Sequence, residues 1–260
     1  MNKELPYALI TGASGGIGYE LTTLMASKGH NLIIVARSEE KLTGIAADLQ
    51  KRFKVQVVFF AVDLAHEAER IKLIEFIRLN NYKINILVNN AGFGDAGYFA
   101  EAEWEKNERM IQLNITALTH LTREFLPDLI KAGKGRILNV ASLAGYLPGP
   151  LMSAYYATKS FVVSFSDALY NELRGTGVTV TTLSPGPVET NFFTEAGAAE
   201  ARINKLLKPA SAKSVAKFGY KRMMKGRKRA IQGIPNNLMI FALRFIPTEF
   251  TNPILKRLHR

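Results

Sequence analysis

"YALITGASGGIG", residues 7–18, runs from a short apolar β-rich stretch into a turn with glycines at 12, 16 and 18, and "GYELTTLMASKG" (18–29) continues with helical character. A strand, a glycine-rich turn and a helix in immediate succession make a βα unit. With no side chains over the turn, backbone N–H groups and the helix N-terminus can approach a diphosphate. The spacing is Gly-x3-Gly-x-Gly rather than G-x-G-x-x-G, and a tight βα turn alone would also select glycine. The strand before and the helix after favour the dinucleotide reading.

The same alternation continues outward. "NLIIVA" (31–36), "VQVVFFAV" (55–62), "INILVN" (84–89), "GRILNVAS" (135–142) and "VTVTTLSP" (178–185) are β-rich runs separated by helical segments. Near-continuous apolar strands are those of a parallel sheet buried on both faces. Six such alternations predict a doubly wound α/β domain. A seventh strand is expected at "KRAIQGI" (228–234), after the helical pattern "SAKSVAKFGYKRMMKG" (211–226). No repeat or Pro/Gly-rich linker divides the chain, so residues 1–234 read as one domain and 235–260 as its basic C-terminal extension.

Composition narrows the chemistry. The 260 residues include no cysteine, which excludes disulfides, thiolate catalysis and Cys-ligated metal. Histidines 30, 66, 120 and 259 are scattered, a poor basis for metal or triad chemistry. "MNKELPYALITG" shows no signal-peptide pattern, and no apolar run of about 18 residues occurs, so the expected compartment is the cytoplasm. Of the net charge of +12, residues 202–260 carry +14, with 15 Lys and Arg against the single acid Glu249. A nucleic-acid surface would spread its basicity differently, which disfavours that partner.

Two further stretches carry chemistry. The second strand ends "IVARS", with Ala36 and then Arg37 where a ribose-binding acid would stand. Arginine suits a 2′-phosphate, which an acid would repel, and this points to NADP(H). Asp63, after the third strand, is placed either to bond the adenine amino group or to cap the next helix. "SAYYATKS" (153–160) sets Tyr155 and Tyr156 four and three residues before Lys159, and both spacings meet on a helix. A close cation favours a phenolate. Local geometry leaves the choice between the two tyrosines open.

"TGASGGIG" (11–18), "NNAG" (89–92), Asn114, Ser142, "YYATK" (155–159) and "SPGPVET" (184–190), taken together and in this order, resemble the short-chain dehydrogenases/reductases. The resemblance spans residues 7 to about 190. It implies a single Rossmann-type domain with a parallel sheet of about seven strands and an NADP(H)-dependent oxidoreductase acting on a carbonyl or alcohol. The family's Tyr-x-x-x-Lys signature, with a serine 13 residues upstream, selects Tyr155 as the general acid/base. Ser142 would polarise the substrate oxygen. Lys159 would lower the tyrosine's pKa and hold the nicotinamide ribose, and Asn114 would hold a water in a proton relay. Cofactor contacts are implied for Gly12, Ser14, Gly16, Ile17, Gly18, Arg37, Asp63, Asn90, Gly92, Pro185, Gly186, Val188 and Thr190, with Asn89 and Asn90 stabilising their turn. A homodimer or homotetramer is also implied.

Residues 191–210 occupy the position of the family's substrate lid, and Phe192, Phe193, Leu206 and Leu207 there suggest an apolar substrate. The tail "NNLMIFALRFIPTEFTNPILKRLHR" (236–260) has apolar runs interrupted by Pro247 and Pro253. It reads as a surface for anionic lipid, as a dock for an acidic partner, or as a segment packed on its own domain or a sister subunit. Two alternatives accompany the main reading: a 3-oxoacyl-thioester reductase specifically, and a non-catalytic NADPH-binding sensor.

Overall fold

The computed structural model describes residues 5–190, 192–198, 209–243 and 245–259. Among them run β1 (Tyr7–Thr11), β2 (Asn31–Ala36), β3 (Val57–Ala61), β4 (Ile84–Asn89), β5 (Gly135–Val140), β6 (Val178–Ser184), β7 (Val188–Glu189), β8 (Ala210–Ser211) and β9 (Arg229–Ile231). Seven of these form one sheet in the order β3-β2-β1-β4-β5-β6-β9, every neighbouring pair parallel. β7 and β8 pair separately as a two-stranded ribbon, which the sequence did not announce. β9 is the expected seventh strand, trimmed to three residues.

Both faces of the sheet are apolar, as parallel strands require. Ala8, Ile10, Leu32 and Ile34 point to one side, where α1 (Gly16–Ser27) and α2 (Glu39–Phe53) cover them. Tyr7, Leu9, Ile33 and Val35 point to the other, beneath α3 (Glu67–Leu79). The opposite facing of adjacent residues is the period-2 geometry of a strand.

α4 (Trp104–Ile111) passes through a π-helical turn, Gln112–Ala117, into α5 (Leu118–Lys131). Behind the strand ends, Asn89 donates to Asn139 and Thr122, and Asn139 donates to Ser166 on α6 (Ser153–Glu172). Asn89 thus ties β4 to β5 and α5, a correction to its expected place in the turn.

Beyond α7 (Phe192–Glu195), α8 (Ala212–Met224) joins the first face, with Val215, Ala216 and Met223 in its core. The C-terminal extension folds as α9 (Ile234–Leu243) and α10 (Thr248–Leu258). Pro247 stands at the N-cap of α10, and Pro253 is accommodated inside the helix at the loss of one backbone bond. No helix among the described residues is long and apolar enough to cross a membrane.

Candidate active site

The chain order reverses between β1 and β4, and ligands of open α/β sheets bind beyond the strand C-termini at such a switch point. A cavity of about 840 Å³ lies there. The residues after β1, β2 and β3 supply Gly12, Arg37 and Asp63, and those after β4, β5 and β6 supply Asn90, Ser142 and Pro185.

The β1–α1 turn forms one end. Gly12 and Gly16 hold positive φ, +66° and +53°, a conformation that glycine adopts without penalty. The N-cap of α1 is Gly15, which offers no side-chain cap, no acid stands in the first turn, and Ser14, Gly16 and Ile17 border the cavity. Its unpaired N–H groups therefore face the cavity with the positive end of the helix dipole, which fits a diphosphate. Asn90 Nδ2 braces the turn through the carbonyls of Thr11 and Gly12 at 3.0 and 3.1 Å. Gly18 stands apart from the cavity: it is buried, and any Cβ there would collide with Gly12 O and Asn90. Its glycine is required by chain packing.

Arg37 and Lys41 border the adjoining region. Asp63 does not cap α3, whose N-cap is His66. Its carboxylate accepts from Ala65 N at 3.1 Å and pairs with Arg109 of α4 at 2.6 Å. Burial would raise this carboxyl, but the Ala65 N–H, Arg109 and Arg37 together hold it below the usual range.

At the other end α6 carries Tyr155 and Lys159, both buried. Ser142, capping the 3-10 turn Leu143–Tyr146, accepts from Ala144 N at 3.1 Å, and its hydroxyl is placed to favour the ionised form of Tyr155. Lys159 Nζ donates to Val140 O at 3.0 Å and lies 5.9 Å from the centre of the Tyr155 ring. The expected depression of the tyrosine is reversed in the protein alone: burial pushes Tyr155 up to about 12 against the pull of Ser142, and brings Lys159 down to about 8. With Lys159 down at about 8 and Tyr155 up at about 12, the lysine has lost its charge before the tyrosine ionises, so it does not oppose that rise.

Asn114 lies in the π-helical turn, a departure from helical register that recurs at functional sites. It exchanges hydrogen bonds with both backbone groups of Phe93, at 3.2 and 2.9 Å, and donates to Thr158 at 3.0 Å. A Cβ on Gly92 would lie 2.8 Å from Asn114 Oδ1 and 3.4 Å from Lys159 Nζ, so Gly92 keeps the space between them open. Pro185, Gly186, Val188 and Thr190 complete this wall.

The described part of the expected lid places the Phe192 ring 5.2 Å from that of Tyr155. Residues 191 and 199–208, with Leu206 and Leu207, lie outside the described residues. The C-terminal extension supplies what the sequence did not show. Met239, Leu255, Leu258 and His259 line the cavity. His259 bonds Tyr156 Oη and Pro150 O, each at 2.8 Å. Tyr156 thus faces the tail while Tyr155 faces Ser142. Arg109 and Lys41 also escaped the sequence reading, because cavity position was their one signal.

A family model described as short chain dehydrogenase matches residues 6–201. The chain is 35% identical over 192 residues to a human very-long-chain 3-oxoacyl-CoA reductase, covering 72% of this chain and 60% of that protein. It is 34% identical over 183 residues to an uncharacterized oxidoreductase of Staphylococcus saprophyticus, covering 70% and 78%. Among solved structures, a short-chain dehydrogenase from Sphingobium yanoikuyae in complex with NADPH superposes with a TM-score of 0.82 at 32% identity over 93% of each chain. A bulky-bulky ketone specific alcohol dehydrogenase from Comamonas testosteroni gives 0.80 at 29% identity, over 94% of this chain and 93% of that one. The Gly-rich turn, the serine, tyrosine and lysine and the strand order occur together within that shared span, and the chain belongs to the short chain dehydrogenase family.

Proposed function

We propose that the protein is an NADP(H)-dependent reductase of apolar carbonyl compounds, with Tyr155 as proton donor. The observation that carries this reading is the meeting of Ser142, Tyr155 and Lys159 in one buried, largely apolar end of the cavity. The dinucleotide would lie along the uncapped α1 N-terminus, with Arg37 and Lys41 toward a 2′-phosphate. When bound it supplies the hydride. Ser142 orients and polarises the carbonyl oxygen. Tyr155, whose raised pKa keeps it protonated at neutral pH, gives its proton to the alkoxide that reduction leaves. Lys159 keeps positive charge beside that oxygen, and Asn114 fixes the Phe93 backbone next to it.

The second reading, reduction of 3-oxoacyl thioesters, is supported by the likeness to very-long-chain 3-oxoacyl-CoA reductases and by Met239, Leu255 and Leu258 along the cavity. A panel of hindered ketones and 3-oxoacyl thioesters of increasing chain length tests both. Turnover rising with apolar length is expected, whereas preference for short polar carbonyls would refute an apolar site. The cytoplasm is the proposed compartment and a homo-oligomer the proposed assembly, with the residues 191–210 acting as lid.

The pH profile has a defined sign. Reduction needs Tyr155 protonated, which holds below about 12, and Lys159 charged, which holds below about 8. kcat/KM, which reports the free enzyme, is therefore expected to stay level from neutrality and fall as pH rises through about 8. An increase across that range would contradict the assignment of Lys159.

A further inference from the structure

Thr158 precedes Lys159 on α6 and is closed to solvent, at 1% exposure. A threonine inside a helix commonly returns its hydroxyl to a carbonyl one turn back, and here Oγ1 donates to Tyr155 O at 2.7 Å. A hydroxyl has a single proton to give, so the oxygen is left as an acceptor. The group it accepts from is Asn114 Nδ2, at 3.0 Å. Asn114 is equally buried and meets Phe93 twice: Nδ2 donates to Phe93 O, and Oδ1 accepts from Phe93 N. Both N–H groups of the amide are therefore committed, one to Thr158 and one to Phe93, while Oδ1 keeps one acceptor position. Oδ1 and Lys159 Nζ flank the space that Gly92 leaves open.

We propose that Thr158 is a positioning residue, which locks the Asn114 amide to α6 so that its oxygen is held toward the space beside Lys159. Valine in its place would fill the helix surface equally well and would serve packing alone. It accepts no hydrogen bond, and one N–H of Asn114 would then lie unpaired in a site closed to water. Phe93 would still hold the amide from one side. What is lost is the tie between the π-helical turn and α6, two elements that must keep register if Asn114 and Lys159 are to face one space. The tie spans 44 residues of sequence, so neither element supplies it alone. Its effect on turnover rests on the proposed reductase function, whereas the tie itself does not.

The test compares Thr158→Val, Thr158→Ser, Asn114→Ala and the double variant Thr158→Val with Asn114→Ala in the full chain. Solvent exchange of the Asn114 side-chain amide, identified in NMR spectra by its disappearance in Asn114→Ala, reads the tie without turnover. Exchange is expected to quicken about tenfold or more in Thr158→Val, the order of a buried donor left unpaired, and to stay near the wild-type rate in Thr158→Ser, which keeps the hydroxyl. In Thr158→Val, kcat for an apolar ketone should fall about tenfold or more, with KM and NADPH affinity close to the wild type, and Thr158→Ser should recover most of that loss. The double variant should be no slower than Asn114→Ala, because a residue that acts through Asn114 then has nothing left to act on. Retained NADPH binding separates loss of the tie from misfolding, and Thr158→Ala gives the same comparison should Thr158→Val not bind. Unchanged amide exchange in the variant without the hydroxyl, or single losses of kcat that multiply in the double variant, would overturn the proposal. Quickened exchange in a protein that reduces no carbonyl would leave the tie standing and remove the reductase reading alone.

Discussion

Tyr155→Phe is expected to lower kcat by about two to four orders of magnitude, the range that a positioned general acid contributes, while leaving NADPH affinity close to that of the wild type. The variant keeps the ring that packs against Phe192 and Tyr156 and removes one hydroxyl, the group whose titration Ser142 influences. Tyr156→Phe removes the hydroxyl next along the helix, and the outcome should differ in kind. That hydroxyl is bonded to His259 of the tail, 103 residues away, so its loss should loosen α10 and raise KM for apolar substrates with kcat largely retained. Steady-state kinetics on the two variants side by side decide the assignment. Equal losses of kcat in both would mean that the two hydroxyls act together, and the choice of Tyr155 would fail.

Arg37→Asp is expected to weaken NADPH binding by about ten- to a hundredfold, the consequence of losing a charge-assisted hydrogen bond worth about 1.5–3 kcal/mol, with NADH affinity held or improved. Arg37 is exposed at the end of β2 and borders the cavity beside Lys41. An aspartate there would repel a 2′-phosphate and could accept from a 2′-hydroxyl. Its removal also withdraws one of the positive charges that keep Asp63 ionised, but Arg109 remains paired with that carboxylate. Fluorescence titration with both cofactors measures the ratio. Parallel losses for NADPH and NADH would show that Arg37 serves the fold rather than the phosphate.

The strands were legible because a parallel sheet buried on both faces writes itself as unbroken apolar runs: "NLIIVA" became β2 without a change of boundary. The seventh strand was found and overextended, since β9 pairs with β6 through Arg229, Ala230 and Ile231 alone. The turn at Gly12 and Gly16 was legible because positive φ selects glycine, but the same signal could not separate Gly18, which serves packing, from glycines that border the cavity. Asn114 was placed by family resemblance, and its π-helical turn has no period that a sequence scan detects. Asp63 was read by its neighbours in sequence, whereas its partner Arg109 is 46 residues away. His259 is the clearest case of what remained hidden. A lone histidine near the chain's last residues carries no local pattern, and its role comes from the folding of α10 back onto Pro150 and Tyr156.

The central claim is that this cavity transfers hydride to a carbonyl. Its most direct test is to incubate the protein with reduced cofactor carrying deuterium at the transferable position and an apolar ketone, then to examine the product by mass spectrometry. Deuterium on the carbinol carbon, present with the wild type and absent with Tyr155→Phe, is the predicted result. Cofactor bound tightly while every ketone and 3-oxoacyl thioester offered is recovered unchanged and unlabelled would contradict it, and would make the protein a sensor of the nucleotide rather than an enzyme that spends it.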